Sequence, residues 1–507
     1  MNRKSEKVEL RLSTTASTVR RLPACAALAS LAVSSARSSL VVSVYWDTPE
    51  LDLRAARISL RTRRIDDRAW VQTLTTEGRA LSPDEYEARL PGQRADLRLA
   101  RQAGWRGHAE LDDREDRLRP VIVSRVVRAT RAVEFADGTT VDLCIDRGDL
   151  RVGDLPRARE RIVEIKLQLT DGSACRLYEL AYRLVRELPS ARIVFASEPD
   201  RGYALSAGTP GEPRRALDII IPKRSTPQVV AVSAAAESLV HIQSNVQHAR
   251  LGLDSEGVHQ MRVGVRRLRA ADAISRILSE GVKEEIKWLW RLLGATRDWN
   301  VFETETWPVA KHRTAIGARA AADFESTISM LRGASHEKLR RALNSRRFQL
   351  LMLALGWSIT THRESMMGAS SHRSAKRWAR RLLARRAARM RDDGDAIDRL
   401  TDEQRHRLRI DAKKLRYPAE FLAGLYPSHA SRRYLRRLAA VQAALGGLND
   451  LAVSGKLFRS VVAALPAPRR ALAAQTSMAY AATQVLELEQ QLQAAWRSFA
   501  KAEPFWE

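Results

Sequence analysis

The chain has 507 residues, 45% of them hydrophobic, and a formal net charge of +27. That length and apolar content predict two or three domains with real cores. The charge calls for a polyanionic partner, whether nucleic acid, an anionic membrane surface or a phosphate polymer. Three cysteines, Cys25, Cys144 and Cys175, exclude a disulfide framework and show no metal-ligand spacing. No run of about 20 apolar residues exists, so no membrane span is expected. The apolar "PACAALASLAV" at 23–33 lacks a signal peptide's layout, and the cytoplasm is the expected compartment.

In chain order, residues 1–205 alternate: "KVELRLS", "SLVVSVYWDT", "RISLRTRR", "AWVQTLTT", "EYEARLPG", "AVEFADGTTVDLCIDRG" and "RIVEIKLQL". Period-two runs between turn residues predict antiparallel strands. "ADGTT" predicts a hairpin, since Asp-Gly suits the positive φ angles of a tight turn. Helices are expected near 15–35 and 173–188. Arg61 and Arg63 fall on one strand face, as do Glu9 and Arg11. A sheet with such a face either meets solvent or closes around a polar lumen.

Residues 206–225, rich in proline and glycine, predict a linker. From 226 to 507 the apolar period is helical, which predicts an all-α bundle. Residues 1–225 carry +8 and residues 226–507 carry +19, so the helical half is the basic half.

That half contains a repeat. "HQMRVGVRRLR" at 259–269 returns as "HRLRIDAKKLR" at 406–416, without a gap. At about 100° per residue, His259, Arg262, Arg266 and Arg269 share one helix face, opposite Met261, Val265 and Leu268. His406, Arg409, Lys413 and Arg416 do the same in the second copy. Downstream, "LGATRDWNV" at 293–301 matches "LGGLNDLAV" at 445–453. Two homologous helical halves related by a pseudo-two-fold are expected, with both basic faces turned to one groove.

Arg, Lys and His on one face suit phosphate oxygens. Aromatics are only 6%, none interleaves with the basic face, and no nucleic-acid-binding signature appears. A ligand with phosphates and no bases fits better, and nucleic acid is expected to bind only non-specifically.

The stretches "VHQMRVGVRRLR", "LGATRDWNVF", "RHRLRIDAKKLRYPAEF" and "LAAVQAALGGLNDLAV" resemble a CHAD domain, the conserved histidine α-helical domain, over residues 226–507. The resemblance implies a pair of four-helix bundles that binds inorganic polyphosphate, with polyphosphate granules as a further partner. The implied binding set is His259, Arg262, Arg266, Arg269, His406, Arg409, Lys413 and Arg416, with Arg297 added beside Asp298.

Residues 1–205 are similar to a CYTH domain, through "YWDTPELDLRAARISLRTRR", "WVQTL", "VDLCIDRGDLRVGD", "RIVEIKLQL" and "SEPDRGY". This resemblance implies an eight-stranded antiparallel barrel forming a triphosphate tunnel, with Mg²⁺ or Mn²⁺ as cofactor if active. Glu9, Arg11, Arg61, Arg63, Glu85, Glu87, Arg125, Arg128 and Arg201 are its implied catalytic set. Glu9, Asp142, Asp146 and Glu164 are its implied metal ligands.

The chain departs from that family's pattern. In E-x-E-x-K, Lys7 replaces the first Glu and Arg11 the Lys; Thr75 follows "WVQTL"; Lys166 and Gln168 stand where carboxylates are expected; Glu198 replaces a Lys. Losing carboxylates removes divalent-ion ligands. The overall expectation is an α+β two-domain protein that binds inorganic polyphosphate through its helical half and binds triphosphate, with weak hydrolysis at most, through a degenerate N-terminal half. An active metal-dependent inorganic triphosphatase and a nucleic-acid-binding module are the alternatives.

Overall fold

Alternating β-branched and polar residues build one antiparallel sheet from the first part of the chain. The computed structural model describes residues 8–76, 85–102, 105, 115–153, 158–217, 219, 221, 225–314, 316–366, 374–394 and 396–507. Lys7 lies outside them. The strands are β1 (Glu9–Ser13), β2 (Ala32–Val33), β3 (Arg37–Asp47), β4 (Ile58–Ile65), β5 (Trp70–Thr76), β6 (Glu85–Leu90), β7 (Arg119–Glu134), β8 (Thr140–Val152), β9 (Arg159–Asp171) and β10 (Arg192–Ile193). Their order is β10-β1-β9-β8-β7-β3-β4-β5-β6, with β2 also on β7. The β7–β8 hairpin turns at Asp137-Gly138, where Gly138 takes φ +81°, as the Asp-Gly pair predicts.

The expected closed eight-stranded barrel does not form among the described residues. The sheet has ten strands and is open, with β10 and β6 at its edges. Closure requires two long edge strands to pair. Strand β10 offers only two residues, which meet Leu12 and Ser13 of β1.

One sheet face is apolar where helices cover it. Leu12, Leu143, Ile165 and Leu167 are fully buried with Leu177, Leu180, Ala181 and Leu184 of the amphipathic helix α5 (Ala174–Glu187). Shorter helices are α1 (Ala16–Arg21), α2 (Ala26–Ala29), α3 (Asp52–Ala55), α4 (Leu97–Gln102) and α6 (Glu198–Ala207). The opposite face carries the polar alternation. Over part of it, α6 packs Tyr203 with Ile122, Leu150 and Ile162.

The remaining helices are α7 (Pro227–Ser244), α8 (Val246–Leu251), α9 (Glu256–Ser275), α10 (Glu280–Val301), α11 (Trp307–Arg313), α12 (Ala318–Leu343), α13 (Arg346–Met366), α14 (Ala375–Gly394), α15 (Asp402–Leu422), α16 (Ser428–Ala464) and α17 (Ala467–Ala500). A π-helical turn, Phe302–Thr306, follows α10. The chain divides into two compact units: residues 1–214 with 344–364, and residues 215–343 with 365–507. Most of α13 therefore belongs to the first unit. Its Leu353 joins the α5 core, its Glu364 accepts hydrogen bonds from Ser173 Oγ and the Ala174 N–H at the start of α5, and Gly356 leaves no room for a Cβ beside the Tyr178 ring.

In the second unit the basic segments are helices, as their period predicts. Helix α15 begins with a capping box between Thr401 and Gln404. Its Pro418 has no N–H to give the Lys414 carbonyl, and Arg386 of α14 donates to that oxygen instead. Long α16 and α17 run through two apolar cores, one around Tyr434, Leu438 and Trp496 and one around Phe458, Phe302 and Tyr480.

Candidate phosphate sites

Strand alternation decides what the polar sheet face presents. The register pairs Arg11 with Lys166, Lys166 with Cys144, Glu164 with Asp146, and Asp146 with Arg128, so these side chains lie side by side on one face. Further along, Tyr45 pairs with Arg61, Arg61 with Thr73, and Thr73 with Glu87 on the same face. Arg63 and Glu85 follow at period two. Arg125 does not join them. It sits three residues from Arg128, and that odd spacing turns it to the other face, where it is exposed.

The carboxylates on this face are held by cations. Glu9 Oε1 accepts from Arg11 at 2.7 Å, and Glu9 Oε2 lies 2.6 Å from Lys166 Nζ. Asp146 accepts both arms of Arg128 at 2.7 Å. Glu164 accepts from Arg201 at 2.6 Å, and Glu198 accepts from Tyr45 Oη at 2.9 Å and lies 3.4 Å from Arg11. Burial alone would raise the Glu9 carboxyl; Arg11 and Lys166 overcome it and hold it far below the carboxylate range. Burial lowers the Lys166 ammonium, against the pull of Glu9.

The expected Mg²⁺ or Mn²⁺ does not fit this donor set. A divalent ion of this kind needs free, hard oxygen ligands. Of the four expected ligands, Glu9, Asp146 and Glu164 are engaged by cations, and only Asp142 forms no ion pair among the described residues. Among the described residues no group of three or more His, Cys, Asp and Glu side chains is placed to hold a metal ion.

The second unit holds a separate site. A cavity of about 630 Å³ is lined by Arg262 and Arg266 of α9 and by Arg409 and Lys413 of α15. Both basic faces thus meet one space. The same sequence positions of the two copies recur in its wall: Arg262 with Arg409, Arg266 with Lys413, Trp290 with Gln442, Gly294 with Gly446, and Asp298 with Asp450. The Nε atoms of Arg266 and Arg409 are buried and have no hydrogen-bond partner. Buried donors of this kind normally find an acceptor.

Electrostatics inside the cavity are crowded with like charge. Burial, then Arg409, Arg266 and Arg262, bring Lys413 down to about 8. Burial and Arg297 push His259 below its usual range. Burial raises the Asp298 carboxyl, Arg262 opposes, and Asp450 adds to the rise. The ring of Trp290 lies under Arg262 at 4.7 Å and near Arg269 at 5.6 Å.

Other expected residues stand off the cavity wall. His259 is half-buried beside Arg262 and Arg266, whereas His406 and Arg269 are exposed. Arg416 pairs with Glu420 and donates to Gln442, and Arg297 lies 3.8 Å from Glu305. Sequence reasoning missed Trp290 and Gln442; their shared place three residues before each Leu-Gly is the signal that finds them.

Comparison with known proteins finds two families along the chain. Residues 6–180 match the CYTH domain family and residues 233–459 the CHAD domain family. The crystal structure of the CHAD domain from the plant Ricinus communis is 29% identical, covers 58% of this chain and 98% of its own, and has a TM-score of 0.50. PptA from Streptomyces chartreusis is 16% identical, covers 55% of this chain and 99% of its own, and has a TM-score of 0.38. A Hippeastrum protein described as having a dominant triphosphatase activity is 15% identical, covers 40% of this chain and 97% of its own, and has a TM-score of 0.27. No curated protein matches.

Proposed function

Because this chain carries a CYTH domain followed by a CHAD domain, we propose that it binds inorganic polyphosphate in the cavity between α9 and α15, and that its CYTH domain takes triphosphate with little or no turnover. One observation carries the first part: the cavity draws cations from the same positions of both repeats and leaves the Nε of Arg266 and of Arg409 without an acceptor. Phosphate oxygens are acceptors of the right charge, and guanidinium forks match their geometry. If a pseudo-two-fold relates the copies, a linear phosphate chain crossing it would meet each copy's cations in turn.

A base-free polymer is favoured over nucleic acid. Trp290 is covered by arginine, and the Tyr417 ring lies under Arg266 at 5.0 Å, so neither is open to stack a base. Among the described residues no helix is long and apolar enough to cross a membrane. In the CYTH domain, cations that would hold triphosphate remain while three of the four expected metal ligands, Glu9, Asp146 and Glu164, are engaged, which supports binding over hydrolysis.

The test is competition on the full chain at fixed salt, because charge alone makes any polyanion bind at low salt. Labelled polyphosphate should resist displacement by equal phosphate concentrations of DNA or RNA. Equal displacement would favour the nucleic-acid reading. Brisk phosphate release from triphosphate with Mg²⁺ or Mn²⁺ would instead favour an active triphosphatase.

A further inference from the structure

Most cations on the polar sheet face are held by carboxylates, but two are not. Arg11 and Lys166 share Glu9, Arg128 takes Asp146, and Arg201 takes Glu164 and Glu160. Arg61 and Arg63 form no ion pair among the described residues. Arg61 donates at 3.4 Å to the Thr73 hydroxyl, and its Nε is buried without a partner. Arg63 meets more like charge than opposite: burial, then Arg61 and Arg128, lower it below the usual arginine range against the opposing pull of Glu87. Tyr45 and Glu198 act on Arg61 and Glu87 on Arg63, yet neither guanidinium makes a direct ion pair among the described residues, and the buried Nε of Arg61 still wants an acceptor.

A divalent cation is the ordinary means of bringing carboxylates and phosphates together in one site. Here that place is filled from within the chain. Lys166 sits on β9 between Glu164 and Gln168, is buried, and lies across the ladder from Arg11 and Cys144. Its Nζ reaches the Glu9 oxygen that a metal ion would need. A lysine ammonium is a compact point charge with three donors. With one donor on Glu9, the others stay available to a phosphoryl oxygen. A metal ion entering here would meet Lys166, Arg11 and Arg128 at close range and would find Glu9 and Asp146 already bound.

We propose that this face is a metal-independent receptor for a short, highly charged oxyanion, in which the Lys166 ammonium replaces the divalent cation and Arg61 and Arg63 supply the free charge that holds the ligand. The inference rests on the reading that the CYTH domain takes triphosphate, and departs from the metal dependence general among CYTH domains. The receptor binds the metal-free anion. Mg²⁺ in solution therefore competes for the ligand rather than completing the site.

The test uses the full chain carrying Arg262→Glu and Arg409→Glu, which removes the separate cavity of the helical unit. Triphosphate is titrated calorimetrically in EDTA and then in excess Mg²⁺ or Mn²⁺. Binding is expected in EDTA, with weaker affinity when either ion is in excess. Lys166→Gln should weaken binding in EDTA about tenfold, the value of one charge-assisted hydrogen bond, while Lys166→Arg should retain most of it. Thermal unfolding of each variant confirms folding, and Arg63→Gln, which breaks no ion pair, provides a second variant with the same expected loss. Binding that needs Mg²⁺ or Mn²⁺ would overturn the inference and leave the triphosphate reading standing. No binding with or without metal would overturn both. Unchanged affinity in folded Lys166→Gln would remove Lys166 from the site.

Discussion

The guanidinium of Arg266 lies over the ring of Tyr417, 5.0 Å from its centroid, so the first basic helix meets the second through a cation on an aromatic face. The contact aims Arg266 into the cavity and fixes α9 against α15. Tyr417 is buried and also accepts from Gln442 Nε2 at 3.2 Å. Tyr417→Ala should lower the free energy of unfolding by roughly 3 kcal/mol and weaken polyphosphate binding, because Arg266 loses its support. Tyr417→Phe keeps the stack and should cost about 1 kcal/mol. Urea unfolding of both variants checks the difference; equal losses would mean that the hydroxyl, not the ring, matters.

Arg262 and Arg409 occupy matching places in the two repeats and line the same cavity. Reversing either one to Glu should weaken polyphosphate binding by about 1.5–3 kcal/mol. Lys414→Glu changes net charge equally, but Lys414 points away from the cavity toward Asp411. It should change affinity less than about twofold, within the range of a surface pair. Similar losses for all three would show binding to be diffuse.

The pH dependence follows from Lys413 and His259. Lys413 titrates at about 8, below its usual value, because burial and three arginines disfavour its charge. Polyphosphate prefers the protonated form, so affinity should fall as pH rises through about 8, and Lys413→Arg should flatten that limb. His259 is also lowered, so at neutral pH it is mostly neutral before ligand binds. Affinity should therefore rise as pH drops below about 6.5, with proton uptake on binding visible as a buffer-dependent heat. Flat affinity from pH 6 to 9 would contradict both assignments.

Stability in acid reports on Glu9. Its folded pKa lies below the unfolded value, so its contribution is present above about 4.5 and is lost as pH falls further. Glu9→Gln should be less stable than the unsubstituted protein at pH 7 and should lose less stability between about pH 5 and 3. Parallel pH profiles in denaturant unfolding would show that Lys166 and Arg11 do not hold Glu9 in its charged form.

The basic helices were legible because their spacing fits a helix twice in the same register, and the cavity uses that register. Arg125 was misplaced for a reason that the sequence contains: its odd separation from Arg128 puts the two on opposite sheet faces. His406 shares a face with Arg409 in the helix period, yet it sits near the start of α15 and is exposed, since a helical wheel carries no information about where the cavity ends. Openness of the sheet was not legible, because it depends on how much of β1 the two-residue β10 covers rather than on alternation. Glu198 read as a lost cation; in the fold it is a partner for Arg11, itself a departure from the family pattern, so two irregularities that look independent in sequence answer each other in space.

Nothing local marks α13 as belonging to the first unit, since its apolar period resembles that of its helical neighbours. The consequence concerns synthesis. Residues 344–364 complete a unit whose other residues end at 214, and at about 5–20 residues per second the ribosome takes roughly 8–30 s to pass from residue 214 to residue 364. During that interval Tyr178, Tyr182 and Phe195 wait for Gly356, Trp357 and Phe348, and the start of α5 waits for Glu364. The first unit to emerge cannot finish until residues 215–343 of the second have been made, and in the meantime the nascent chain carries an uncovered apolar surface.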